Sequence, residues 1–189
     1  AGTPDKGCFL VVNRFDYLGT SDCRIRSYRL DWTMSKQTRG APIDKPKIFI
    51  IHGPNLNLLG TRDPEQYGTL TLDKVNTSIR KKARELGLET RIIQTNHEGR
   101  IIDLLHRRRK WADGIIINPG AFTHYSYAIR DAIEGIQIPV VEAHLSNIYE
   151  REDFRSVSVT KDVCAAQFYG KKVDSYLEAL EYFNLKLNN

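Results

Sequence analysis

The chain has 189 residues, 41% of them hydrophobic and 27% charged, with a formal net charge of +5. That length suits one good hydrophobic core and little more, and no apolar stretch approaches the roughly 20 residues that a membrane helix needs. Eight Lys/Arg against five Asp/Glu fall in residues 1–45, which leaves only +2 for the remainder, so the basic balance is weak support for a nucleic-acid partner.

In chain order, residues 1–44 lack sustained periodicity and read as turns mixed with isolated apolar residues. Cys8-Phe-Leu-Val-Val12 is too short for a secretory apolar region, and its acidic neighbours argue against a transit peptide. The expectation is an extension, 1–44, outside a functional domain at 45–189. From Lys47 onward, strand and helix patterns alternate. Ile48–Ile51 is a continuous apolar strand. Leu72, Val75, Ile79, Ala83 and Leu86 share one helical face, with Thr71 as N-cap and Gly87 as the stop. Thr90–Gln94 is a second strand, and Asn96 is placed to cap a helix that buries Ile101, Leu104 and Leu105. Gly114–Ile117 is a third strand, and the helix after it runs through Ala128, Ile129 and Ile133 to Gly135. Ile138–Val141 is a fourth strand, and a short fifth falls around Val163–Tyr169. The last helix buries Val173, Tyr176, Leu177, Leu180 and Phe183. Alternating β and α with fully apolar strands means a parallel sheet covered on both faces. Five strands in this span fit the flavodoxin-like, doubly wound α/β class with strand order 2-1-3-4-5.

In such a sheet, ligands bind beyond the carboxyl ends of the strands, near the point where strand order reverses. Polar clusters fall at three of these ends: His52-Gly-Pro-Asn55 after strand one, Asn118-Pro-Gly-Ala-Phe-Thr-His124 after strand three, and Glu142-Ala-His144-Leu-Ser-Asn147 after strand four. Strands one, three and four are neighbours in this order, so the clusters converge on one pocket. The first cluster opens the most informative stretch of the chain, Ile51–Gly68, which is dense in turn residues and carries Arg62 five positions before Tyr67. An ordinary phenol ionises near pH ~10 and is a useless base at neutrality. A guanidinium beside it favours the phenolate and lowers that pKa. The loop holding both residues is expected to be mobile when the site is empty, and its closure to assemble the base.

Each residue also has a bland reading. Asn55 can simply shape the turn after Pro54, and Tyr67 can pack on the following helix. His144 alone is more often a hydrogen-bonded core histidine than an acid, and His124 can cap the third helix. His97 and His106 fall to the surface or to helix termini. Arg107–Lys110 reads as a solvated helix end complementing the macrodipole, with phosphate or nucleic-acid binding a weak alternative. Cys8, Cys23 and Cys164 form no CxxC pair, which suggests free thiols in a reducing, cytoplasmic compartment, with Cys164 a small buried residue of the last strand. Gly53 and Gly60 make neither a Walker loop nor a GxGxxG turn, and Ser126 and Ser146 lack the setting of a nucleophile elbow. Glu142 and His144 lie on the same side of an extended strand, but no third ligand of matching spacing stands out, so no metal is expected. What remains is acid–base chemistry on an organic substrate, against the alternative of a flavodoxin-like module that binds a nucleotide or a partner protein.

The motifs resemble one family. Gly53-Pro-Asn-Leu, Gly60-Thr-Arg62-Asp-Pro, Tyr67-Gly68, Asn118-Pro-Gly, Thr123-His124, Arg130-Asp131-Ala, Glu142-Ala-His144-Leu-Ser146-Asn147 and Arg151-Glu-Asp-Phe-Arg155 stand in the order and at the intervals of type II 3-dehydroquinate dehydratase, over residues 47–186. The resemblance implies the flavodoxin-like fold and the conversion of 3-dehydroquinate to 3-dehydroshikimate and water without metal or cofactor, in aromatic biosynthesis or quinate breakdown. By position it implies Tyr67 as the base at C2, Arg62 as its activator, Asn55 as the holder of a water at the enolate oxygen, His144 as the acid at the C1 hydroxyl, and Glu142 as the partner of His144. It assigns Asn118, His124 and Arg155 to the ring hydroxyls, and the backbone at Leu145 and Ser146 to the substrate carboxylate. Asp131 is expected to reach a neighbouring subunit's site, in trimers that assemble into a dodecamer. Departures are small: His52 stands where many members have Asn, Ala143 replaces a more usual β-branched residue, and Ser156 follows Arg155 where some relatives have a second basic residue.

Overall fold

The computed structural model describes residues 44–61, 70–150, 152–155 and 157–188. Its strands are β1 (Lys47–His52), β2 (Glu89–Gln94), β3 (Gly114–Asn118), β4 (Val140–Ala143) and β5 (Ala166–Phe168). They form one sheet in the order β2-β1-β3-β4-β5, every pair parallel. The helices are α1 (Leu72–Glu85), α2 (Glu98–Arg108), α3 (Tyr127–Gly135) and α4 (Asp174–Asn188). None of them is long and apolar enough to cross a membrane.

Strand alternation decides which helix covers which face. Ile48 and Ile50 of β1, Ile116 of β3, and Val141 and Ala143 of β4 pack with Val75, Ile79 and Ala83 of α1 and with Tyr176, Ala179, Leu180 and Phe183 of α4. Phe49 and Ile51, Ile115 and Ile117, and Val140 face the other way, onto Ile101, Leu104 and Leu105 of α2 and Ile129 and Ile133 of α3. Each fully buried aliphatic side chain contributes about 1.5–3 kcal/mol. Gly114 is required by close approach: a Cβ there would lie 2.2 Å from the Phe183 ring.

Helix ends follow local chemistry with one exception. The Thr71 hydroxyl accepts the Lys74 N–H at 3.3 Å, and Gly87, at φ +70°, follows the end of α1. The Ser126 hydroxyl caps α3 by accepting the Ile129 N–H at 3.0 Å, so the capping role considered for His124 belongs to Ser126. The exception is Asn96. The residue preceding α2 is His97, without a side-chain cap, because the Asn96 oxygen is taken up elsewhere. β4 begins at Val140 rather than Ile138, since Pro139 has no N–H to enter the ladder, and it extends to Ala143. Cys164 is only half-buried and precedes β5, after a 3₁₀ turn at Lys161–Val163. α4 buries Ala179 where Leu177 was expected, and Leu177 is left half-buried.

Candidate active site

The register levels the carboxyl ends of the central strands: His52 pairs with Asn118, and Ile117 with Glu142. Beyond β1 the chain must pass close under β3. The Gly53 N–H donates to the Asn118 carbonyl at 2.7 Å, and a Cβ on Gly53 would stand 2.6 Å from that oxygen. Pro54 then turns the chain, and Asn55 adopts a left-handed conformation, φ 65°, which a short amide side chain tolerates better than most. The Asn55 N–H donates to the Asn96 side-chain oxygen at 3.0 Å. The Gln94 amide nitrogen donates to that same oxygen at 2.8 Å and to the Gly53 carbonyl at 3.2 Å. Asn96 is thus a brace for the Asn55 turn rather than a helix cap, a contact 41 residues apart in sequence.

β4 carries the centre of the site. Glu142 is fully buried, and its Oε1 lies 2.6 Å from His144 Nε2 and accepts the Thr123 hydroxyl at 2.5 Å. Its Oε2 accepts the hydroxyls of Thr160 at 3.0 Å and Ser158 at 3.3 Å. Burial by itself pushes this carboxyl's pKa up. The hydrogen bond and charge of His144, with the hydroxyls of Thr123 and Thr160, outweigh it and hold Glu142 below the usual carboxylate range. The result is a buried anion whose negative charge faces one imidazole. With Nε2 turned to Glu142, His144 has Nδ1 available for a second proton transfer.

His124 ends the 3₁₀ helix Gly120–His124, and its Nδ1–H donates to the Val157 carbonyl at 2.7 Å. Desolvation, followed by the positive charges of Arg155 and His144, lowers its pKa, against the Val157 bond and Glu142. A neutral ring donating at Nδ1 leaves Nε2 as an acceptor for a hydroxyl. Arg155 sits in a 3₁₀ turn (Asp153–Arg155) and pairs through Nε with Glu152 at 2.8 Å. Asn118 is buried, and its side-chain oxygen accepts the Gly120 N–H at 3.1 Å. Leu145 is buried and Ser146 half-buried, directly after His144. Asp131 lies on α3 with a largely exposed side chain beside Arg130, at 3.3 Å. Arg62 and Tyr67 lie outside the described residues.

Several groups of this site had no signal in the sequence. Thr123 appeared only as part of a motif, and Ser158 and Thr160 not at all, because their shared role exists only where two loops meet at Glu142. His52 was noted as the start of the first polar cluster and as a departure, with no partner assigned. It is buried and bonds Tyr176 of α4 and Asn76 of α1, both at 2.9 Å. At the end of α2 the reading agrees with the structure. His106 is exposed in the last turn of α2, and Arg107–Lys110 mark that helix's end, with Arg108 over the Phe49 ring at 5.1 Å.

Sheet order and helix layers make this a flavodoxin-like protein, with the buried Glu142–His144 pair at its strand ends. The chain matches the family described as Dehydroquinase class II over residues 46–184. The 3-dehydroquinate dehydratase of Pelotomaculum thermopropionicum is 54% identical over 134 residues, 71% of this chain and 93% of that protein. The one from Thermotoga maritima is 51% identical over 141 residues, 75% and 96% of the two chains. A solved type II dehydroquinase from Butyrivibrio crossotus shares the fold with a TM-score of 0.72 at 43% identity, covering 74% of this chain and 98% of that one. The chain belongs to the class II dehydroquinase family. That membership does not favour the binding-module alternative.

Proposed function

We propose that the protein is a 3-dehydroquinate dehydratase, and that residues 45–189 are its catalytic domain with 1–44 an extension. The observation that carries this reading is the buried Glu142–His144 pair at 2.6 Å, at the strand ends of a chain that belongs to the dehydroquinase family. A proton beside a ketone is weakly acidic and hydroxide is a poor leaving group, so the site has to supply a base, a place for enolate charge, and an acid.

Tyr67, activated by Arg62, takes the proton from C2, next to the C3 ketone, and the electron pair moves onto the ketone oxygen. Asn55 holds a water against that oxygen. The enolate then collapses, the C1–O bond breaks, and His144 gives its proton to the departing hydroxyl, which leaves as water. Glu142 holds the His144 ring and stabilises its protonated form. Asn118, His124 and Arg155 bind the ring hydroxyls, with His124 Nε2 as acceptor, and the backbone at Leu145 and Ser146 receives the carboxylate. Asp131, exposed on α3, serves the site of a neighbouring subunit in a trimer, four trimers making the dodecamer. The enzyme is cytoplasmic and needs no added metal or cofactor.

The test is direct. Mixing the protein with 3-dehydroquinate and following the absorbance of the conjugated enone should show turnover. Tyr67→Phe should abolish it while leaving cooperative unfolding intact, and normal turnover in that variant would reject Tyr67 as the base. His144→Ala should lose C–O cleavage while retaining exchange of the C2 proton; loss of both would overturn the division of labour.

A further inference from the structure

Past the end of β4 the chain runs through Leu145, Ser146 and Asn147, and one segment braces it from the β5 side. The His144 N–H donates to the Phe168 carbonyl at 2.8 Å, where the ladder between β4 and β5 ends. The Lys172 N–H then donates to the Leu145 carbonyl at 2.9 Å. Gly170 packs against Asn147, since a Cβ on it would lie 3.4 Å from the Asn147 Cβ.

The turn that makes these contacts is held in an unfavourable shape. Gly170 has φ 79° and Lys172 φ 53°, a region that a residue with a Cβ adopts rarely. The start of α4 fixes the turn. The Lys171 N–H donates to the hydroxyl of the buried Ser175 at 3.2 Å, and the Lys171 carbonyl accepts the Asp174 N–H at 3.0 Å. The Lys172 side chain is exposed and forms no ion pair among the described residues. What the strained backbone secures is the direction of the Lys172 N–H.

That direction decides another. The Leu145 carbonyl and the Ser146 N–H belong to one planar trans peptide, so they point opposite ways. With the carbonyl held toward Lys172, the Ser146 N–H is aimed away from the β5 side, and the order β3-β4-β5 puts the ends of β3 and β4 there. Neither the Leu145 nor the Ser146 N–H has a hydrogen-bond partner among the described residues. Successive open N–H groups suit an anionic oxygen. We infer that Lys172 is a positioning residue, whose backbone N–H fixes the Leu145–Ser146 peptide so that the Ser146 N–H is presented to the substrate carboxylate. This rests on the reading of the backbone at Leu145 and Ser146 as the seat of that carboxylate. Lys172 touches no substrate and acts through the Leu145 carbonyl.

The experiment uses the full chain with two ligands: 3-dehydroquinate as substrate and, as competitor, its analogue with hydrogen in place of the carboxylate. Lys172→Val sets a β-branched residue where φ is positive and forces the turn off its hydrogen bond. Lys172→Asn removes the ammonium but tolerates the left-handed shape. The carboxylate keeps its charge throughout the elimination, so a misdirected N–H weakens ground state and transition state alike. Lys172→Val should therefore raise KM about tenfold, with kcat changed less than about twofold. It should leave the inhibition constant of the carboxylate-free analogue unmoved, and Lys172→Asn should behave as the native chain does. A similar rise in KM for Lys172→Asn would trace the effect to the ammonium charge and overturn the proposal. So would a Lys172→Val penalty shared by the carboxylate-free analogue, or no penalty at all. If the native chain binds both ligands equally well, it is the seat of the carboxylate that fails, a result separable from the others. Should Lys172→Val not fold, Gly170→Ala takes its place: it strains the same turn at φ 79°, and the same outcomes decide.

Discussion

His52 offers a stability measurement whose sign and size follow from its surroundings. Burial disfavours its charged form, and the Asn76 bond offsets this only in part, so the pKa falls from 6.5 to about 4. In the unfolded chain the ring takes up a proton near pH 6.5; in the folded protein it stays neutral until about pH 4. Between those values the unfolded state holds more protons, so stability rises with pH. The contribution is fully present above pH 6.5 and is lost as pH falls toward 4. The full difference is about 3 kcal/mol, and the part lost between pH 7.5 and pH 5 is about 2 kcal/mol.

The assay is urea unfolding at those two pH values and one fixed protein concentration, for the native chain and for His52→Asn. Other groups titrate in the same range, His124 among them, but they do so in both proteins and cancel in the comparison. The native chain should therefore lose about 2 kcal/mol more than the variant, a midpoint change larger by roughly 1 M urea for an m-value near ~2 kcal/mol/M. Equal losses in the two proteins would refute the reasoning, because they would mean that His52 protonates in the folded state as readily as in the unfolded one. A lower overall stability of the variant would not bear on the question, which concerns only the slope with pH.

Three further outcomes follow from the same geometry. Thr160→Val removes a donor from the Glu142 carboxylate, so the Glu142 pKa should rise, seen as an upward displacement of the acid side of the pH–rate profile. Glu142→Gln leaves His144 without its anion and should lower kcat by about 10²–10⁴-fold while the variant still unfolds cooperatively. Gly53→Ala would drive a methyl group into the Asn118 carbonyl, 2.6 Å away. It should cost about 1–3 kcal/mol, lower the melting temperature by about 2–12 °C, and depress turnover as the ends of β1 and β3 are forced apart.

What could be read in the sequence was whatever is encoded locally. The apolar strands, the Thr71 cap, the Gly87 stop and the three polar strand ends each depend on neighbours within a turn or two, and the structure has them all. Asn96 shows where such reading ends. As a local signal it is an N-cap, but its oxygen is claimed by the Asn55 N–H from another strand end, and no window along the chain contains both. Glu142 and His144 were found because a two-residue spacing in a strand places side chains together. The hydroxyls on Glu142 come from 16, 18 and 19 residues away, and serines and threonines are too common in loops to be singled out. Tyr176 was correctly expected to be buried, but hydrophobic periodicity counts a tyrosine as apolar and is blind to its hydroxyl.

Glu142 links folding to chemistry. A carboxylate with no exposure is costly unless hydrogen bonds surround it, and here Thr123, Ser158, Thr160 and His144 supply them. Those same donors keep it anionic, and only as an anion can it stabilise a protonated imidazole. In the proposed mechanism, the arrangement that lets the fold tolerate Glu142 is therefore also the one that lets it support His144 as the acid. Substitutions around Glu142 should accordingly register in unfolding and turnover together. A Thr123→Val variant that lost turnover while unfolding as the native chain does would break that link.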